Sequence, residues 1–238
     1  MLRCHQKKTK SKITMWMTDF TCEDAICPRN RGLNMSSNFE GIKGYKFTNW
    51  SKTFRCEPEL YFEPTNHDEI RKILHEAAKQ NKKVKVIGEG HSPSDIQCTP
   101  DYMICLRKLN KVLNVNKETQ QIKAQAGISL HELHQEALKH GLAVSLMPSV
   151  SGVSLGGLIA TGTHSSGVGY GILATYITGI TLMDAQGEII KCSKTMNKEI
   201  FDAARCHLGA LGIILDITWQ CEKPYKLRSS RKAGKLDE

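Results

Sequence analysis

From His140 to Met183 the chain runs for 44 residues without one Asp, Glu, Lys or Arg. Few structures accommodate so long an uncharged stretch. A membrane-spanning helix needs about 20 consecutive, predominantly apolar residues, and none of that length occurs here. Pro148 interrupts the stretch early, and Gly, Ser and Thr recur along it. Packed loops of a β-rich lobe account for the glycines but not for the missing charge. A segment lying against a large, neutral, planar ligand accounts for both, because glycine lets the main chain come close to a bound molecule. The densest part, "SVSGVSLGGLIATGTHSSG" (149–167), holds five glycines around an apolar Leu155–Ala160 stripe. A helix starting near Ser154 would aim its positive end at a phosphate.

A second glycine cluster follows a hydrophobic strand in "VKVIGEGHSPSDI" (84–96). Gly88-Glu89-Gly90 resembles part of a dinucleotide fingerprint, but a third glycine and a helix should follow. Ser92-Pro93 stands there instead, so a Rossmann site is excluded. What remains is either an ordinary strand-end turn or a nest of main-chain N–H groups that holds an anion. Gly209 and Gly212, just before a last apolar strand, offer a third backbone contact.

Net charge is +9, a value that raises nucleic acid as a partner. Its placement argues otherwise. Residues 1–12 carry five Lys/Arg and no acid, and residues 223–238 carry six against two acids. Residues 13–222 then hold 22 basic and 22 acidic side chains, so the body is neutral and no nucleic-acid partner is expected. Nine cysteines, an odd number without Cys-x-x-Cys spacing, speak against a zinc site or a disulfide framework. Cys98 and Cys105, on either side of a predicted strand, read as core packing. His131-Glu132-Leu133-His134 misses the His-Glu-x-x-His spacing by one residue and reads as a wet helix face, so no metal is expected. The basic N-terminus lacks the apolar segment of a secretory signal. Residues 1–40 show no periodicity and read as a disordered leader, and 226–238 as a basic, polar tail.

Between these ends the periodicity alternates. A strand near 59–63 precedes a helix with the capping-box spacing Thr65–Asp68 and the stripe Ile70, Ile73, Leu74, Ala77, Ala78. Strands follow at Val84–Ile87 and Tyr102–Leu106, a parallel unit. Val112–Val115 and Gln121–Ala126 form a hairpin. Ser129–Glu132 is a second capping box, heading a helix with the stripe Leu130, Leu133, Ala137, Leu138 and Gly141 just past its end. A further hairpin pairs Thr178–Leu182 with Glu188–Cys192, Asn197–Arg205 is a helix, and Ile213–Cys221 is the last strand.

The segments "VIGEGHSPSDI", "GISLHELH", "GGLIATGTHSSG", "GILAT", "LMDAQGEIIKCS" and "AARCHLGALGIIL", in this order, resemble the FAD-binding domain of the vanillyl-alcohol-oxidase superfamily. Within it they are most similar to the aldonolactone oxidase group, which includes the animal L-gulonolactone oxidases. The resemblance runs from about Gly41 to about Tyr225. It implies an α+β, two-lobed FAD-binding domain of the PCMH type, with lobes of about 41–106 and 107–225. It implies that Val86, Ile87, Gly88, Glu89, Gly90, Ser92 and Pro93 hold the FAD pyrophosphate. His91 would be joined covalently to the flavin 8α-methyl, a task for which a neutral imidazole is the nucleophile. Ser149, Ser154, Gly157, Thr161, Gly162, Thr163 and His164 would line the flavin and its phosphates, His164 as cofactor wall and not as a base. Gly212, Ile213 and Ile214 would touch the adenine side or the ring edge.

The implied reaction passes a hydride from L-gulono-1,4-lactone to flavin and then reduces O₂ to hydrogen peroxide, on the way to ascorbate. Members of this family carry a cap domain that binds the lactone and supplies most catalytic side chains. Here "PYKLRSSRKAGKLDE" stands where the cap begins. The reading is therefore a truncated chain without catalytic residues of its own; the alternative is a catalytically silent FAD-binding fragment. The resemblance also implies association with the endoplasmic-reticulum membrane, although the sequence offers neither a span nor a signal peptide.

Overall fold

The computed structural model describes residues 40–230. The leader 1–39 and the last eight residues of the basic tail lie outside them. The chain opens with a small hairpin of β1 (Phe47–Thr48) and β2 (Arg55–Cys56), in which Phe47 pairs with Cys56. A three-stranded parallel sheet follows, built from β3 (Leu60–Phe62), β4 (Val84–Ile87) and β5 (Tyr102–Cys105) in the order β3-β5-β4. Every residue of β5 is buried, which fits the unbroken apolar run of a strand covered on both faces. Its period of two divides the core. Tyr102 and Ile104 join the main hydrophobic cluster, whereas Met103 and Cys105 face a smaller one with Tyr45, Phe47, Tyr61 and Ile87.

Helix α1 (His67–Lys79) connects β3 to β4 and buries Ile70, Ile73, Leu74 and Ala77. The predicted stripe ends there, since Ala78 is exposed. The cap also lies one residue later than its spacing suggested. The Asn66 side chain accepts from the Glu69 N–H, and Glu69 reaches back to the Thr65 N–H. Either residue satisfies the orphan amides of a first turn, and Asn caps at least as well as Thr. Arg71 donates to the Gly187 carbonyl (3.0 Å), which ties α1 to the far sheet.

That sheet is antiparallel: β6 (Val112–Asn116), β7 (Gln121–Gln125), β8 (Ile177–Met183), β9 (Ile189–Ser193) and β10 (Ile213–Gln220), in the order β6-β7-β10-β8-β9. The last strand in sequence is central in space, and its Leu215, Ile217 and Trp219 are fully buried. Helices α2 (Leu130–Lys139), α3 (Leu155–Ala160) and α4 (Lys198–Ala204) accompany this sheet. The capping box heading α2 forms as anticipated between Ser129 and Glu132. Gly141 takes φ +72° just beyond its C-cap. Leu138 departs from the expected stripe and is 42% exposed, and His134 is half-buried although His131 is wet. The main cluster runs without a break from α1 and β5 through α2 and α3 to β10, so both sheets share one core.

Candidate functional site

A cavity of about 860 Å³ opens where the end of β4, the segment around α3 and the approach to β10 meet. That volume lies in the upper range for small-molecule sites. Every residue that the sequence offered as a cofactor contact lies on its wall: 86–93, Ser149, Ser154, Gly157, 161–164 and 212–214.

Glycine brings these segments together by two means. At Gly88 the requirement is proximity. A Cβ there would stand 1.7 Å from the Ser154 Oγ and 2.8 Å from its Cβ, so the end of β4 and the start of α3 touch only because a side chain is missing. At Gly90 the requirement is backbone, with φ at +74°. Gly212 combines both, at φ +130° with the Met183 carbonyl 2.4 Å from an added Cβ.

Loop 88–93 is held from outside by the β1–β2 hairpin. Asn49 is buried, and its amide donates to the Ser92 carbonyl (3.1 Å) and to Thr53 Oγ1 (3.0 Å) while its carbonyl accepts from the Phe54 N–H (3.0 Å). Thr53 donates to the Pro93 carbonyl, Gln97 to the Ser92 carbonyl, and the Trp50 N–H to the Gly90 carbonyl. The carbonyls of Gly90, Ser92 and Pro93 are thus taken by protein donors. Among the described residues no acceptor is found for the N–H groups of Gly88, Glu89, Gly90 and Ser92. An anion is the natural complement of such a set.

The one carboxylate in the loop does not oppose an anion. Glu89 is gripped at both oxygens by Arg107, at 3.0 and 2.9 Å. Burial pushes the His91 pKa down, against a smaller upward pull from Glu89, so the imidazole is neutral near pH 7. The Trp50 ring stacks over it, with centroids 6.3 Å apart and planes 24° from parallel.

The start of α3 differs from the expectation. Its first two amides, Leu155 and Gly156, already donate to the carbonyls of Ile128 and Ala126. They pin the helix to the turn between β7 and α2 and do not point freely at a ligand. Gly157 is exposed at the cavity, and Thr161 binds back to its carbonyl (2.9 Å). His164 is exposed on the wall, its Nδ1 3.3 Å from the Ser165 carbonyl.

Other lining residues carried no signal in the sequence. Asp184 and Ala185 belong to the β8–β9 turn, Trp50 and Gln97 lie outside the glycine clusters, and His207 stands two residues before Gly209. His207 is buried, its Nδ1 accepts from the Gly209 N–H (3.1 Å), and its Nε2 has no partner among the described residues. That bond puts the ring hydrogen on Nε2, a buried atom, and burial lowers the pKa of the ring. The thiols anticipated as core packing both meet the smaller cluster, Cys105 fully buried within it and Cys98 half-buried against it. No group of three or more metal-ligating side chains is found among the described residues, and no described helix is long and apolar enough to cross a membrane.

A cavity of this volume, with free amides at one end, glycine-lined approaches and a long uncharged wall, fits a flavin dinucleotide. Residues 58–193 match the family model described as "FAD binding domain". The L-gulonolactone oxidase of Scyliorhinus torazame is 53% identical over 84% of this chain and 45% of its own length. That of Mus musculus is 49% identical over 83% of this chain and 45% of its length. The D-arabinono-1,4-lactone oxidase of Yarrowia lipolytica is 35% identical over 76% of this chain and 35% of its length. The chain therefore spans a little under half of the animal relatives it matches. Among solved structures, a chitooligosaccharide oxidase superposes with a TM-score of 0.64 at 22% identity, over 71% of this chain and 36% of that one. This likeness concerns the fold, α+β of the vanillyl-alcohol-oxidase (PCMH) type. The chain belongs to the family of FAD-binding domains, and its cofactor is FAD.

Proposed function

We propose that FAD lies in the cavity with its pyrophosphate against the amides of 88–92, and that His91 carries it through a covalent bond to the flavin 8α-methyl. The observation that carries this reading is the meeting of four separated segments on one wall beside an imidazole kept uncharged. In this reading Val86, Ile87 and Pro93 complete the loop around the phosphates. Ser149, Ser154, Gly157, Thr161, Gly162, Thr163 and His164 face the flavin with main chain and neutral polar groups. Gly212, Ile213 and Ile214 close the far side. Arg107 neutralises Glu89, so the loop presents no net negative charge to the diphosphate. A neutral His91 keeps a nitrogen lone pair for bonding, and Trp50 covers one face of its ring. Residues 41–225 form the FAD-binding unit in this reading, its lobes meeting near 106.

The whole protein to which such a module belongs acts as an aldonolactone oxidase, as the names of its relatives indicate. Bound there, FAD would supply the two-electron oxidation of the lactone's hydroxyl-bearing carbon and the reduction of dioxygen to hydrogen peroxide. The residues described here bind the cofactor, fix its orientation and keep water from one side of it. Association of the whole protein with the endoplasmic-reticulum membrane is part of the same reading, and cell fractionation tests it.

The decisive assay mixes FAD-loaded protein anaerobically with L-gulono-1,4-lactone. The yellow absorbance is expected to bleach, then to return on admission of air with peroxide formed in step with lactone consumed. A flavin that neither L-gulono- nor D-arabinono-1,4-lactone bleaches contradicts the oxidase reading and leaves the silent FAD-binding alternative.

A further inference from the structure

We propose that Cys56 and Cys98 form a dithiol that a hydroperoxide closes to a disulfide, stapling the β1–β2 hairpin to the chain just beyond the His91 loop. Six cysteines lie among the described residues, all free thiols. Three are buried and Cys206 is exposed alone; Cys56 and Cys98 are the two that are half-buried. These two pack on the same small core of Tyr45, Phe47, Tyr61, Ile87, Met103 and Cys105. Cys56 stands close enough there to act on the Cys98 thiol.

Their positions give the contact its consequence. Cys56 ends β2, opposite Phe47. Cys98 closes the single 3₁₀ turn Asp95–Gln97, its N–H bonded to the Asp95 carbonyl (2.8 Å). The pair therefore brackets the loop that Asn49 and Thr53 already hold through the Ser92 and Pro93 carbonyls. A disulfide would run in parallel with those hydrogen bonds and tie the loop to the hairpin covalently.

The chemistry balances with a hydroperoxide as oxidant. One thiolate of the pair attacks the peroxide oxygen, forming an S–O bond and breaking the O–O bond, with hydroxide as the leaving group. The second sulfur then displaces water from the sulfenic acid. Two thiols lose two electrons, and the peroxide is reduced to water. Burial foremost, then the neighbouring Cys56, pushes the Cys98 thiol up to about 12. Whichever thiol of the pair ionises first is the nucleophile, and its neighbour resolves the sulfenic acid. Closure accelerates with pH, because the thiolate and not the thiol attacks.

The proposal does not rest on the oxidase activity, because the oxidant is added directly. The full chain is reduced, then treated with hydrogen peroxide and mapped by mass spectrometry without reduction. The expected product is a Cys56–Cys98 linked peptide lighter by two hydrogens. It should form faster at higher pH, raise the thermal midpoint by roughly 5–10 °C and revert with dithiothreitol. Cys56→Ser should abolish both the link and the rise. Cys98 remaining a free thiol, ending as a sulfinic acid or pairing with another cysteine overturns the proposal in the wild-type map alone. So does a link that forms without shifting the midpoint.

Discussion

Replacing Gly88 with Ala tests the contact on which the cavity is built. An added Cβ meets the Ser154 Oγ at 1.7 Å and the Ser154 Cβ at 2.8 Å. The hydroxyl can rotate away, since Ser154 makes no side-chain capping bond. The Cβ–Cβ contact cannot relax this way. Ordinary contact needs about 3.5–4.0 Å, so β4 and α3 must part by roughly 1 Å. Overpacking of this kind costs about 1–3 kcal/mol, which for a chain of this size lowers the thermal midpoint by roughly 3–10 °C. The same displacement separates the 88–92 amides from the α3 wall, so FAD should bind roughly tenfold more weakly, a loss of about 1.4 kcal/mol. Differential scanning calorimetry and FAD titration read the two effects. Ser154→Gly removes the obstructing atoms, and as an N-cap exchange it costs only a few tenths of a kcal/mol. The double variant Gly88→Ala/Ser154→Gly should therefore recover most of the loss. A Gly88→Ala protein indistinguishable from wild type, or a double variant no better than the single one, refutes the reasoning.

Three further outcomes can be checked. Asn49→Ala removes the buried amide holding Ser92, and at about 1–3 kcal/mol for the polar groups left unpaired it should lower the thermal midpoint by roughly 3–10 °C; an unchanged midpoint contradicts the anchoring role. Arg107→Gln uncovers the Glu89 carboxylate beside the phosphate site and should weaken FAD severalfold, most at low salt because both side chains are partly exposed; equal affinity contradicts it. Burial lowers the pKa values of His91, His134 and His207. A histidine whose folded value lies below its unfolded value of about 6.5 binds its proton more readily when unfolded. Its contribution to stability is then intact above that value and fades as pH falls through the folded one. The thermal midpoint should drop from about pH 7 to about pH 5, and His207→Gln should flatten part of the drop; a midpoint that rises on acidification contradicts this.

The strands of the two larger sheets, most helices and the glycine-rich wall segments were legible because each left a local mark. β5 is a closed apolar run, α2 carries its capping box in four consecutive letters, and Gly88 and Gly90 follow directly on β4. What escaped is what two distant segments do to each other. Gly88 is required because Ser154 arrives against it, and nothing near residue 88 records that approach. Asn49 looks like any polar residue until the hairpin places it under Ser92. The start of α3 read as an anion site because isolated helix amides are free, but Ile128 and Ala126 supply acceptors that only tertiary structure brings there. His207 and Asp184 reach the cavity through the crossing of β8 and β10, a pairing between residues about 30 positions apart in the chain. Cys98 gained its partner in the same way, since Cys56 lies on another strand.

The link between His91 and the flavin is the most direct measure of the whole account. The protein is produced with FAD, precipitated in acid, washed and digested, and the flavin fluorescence is followed into the peptides. The wild-type pellet should stay yellow, with the flavin mass on the peptide containing His91, whereas His91→Ala should release its FAD on precipitation. Flavin that washes out of the wild type, or that maps to a different side chain, contradicts the account.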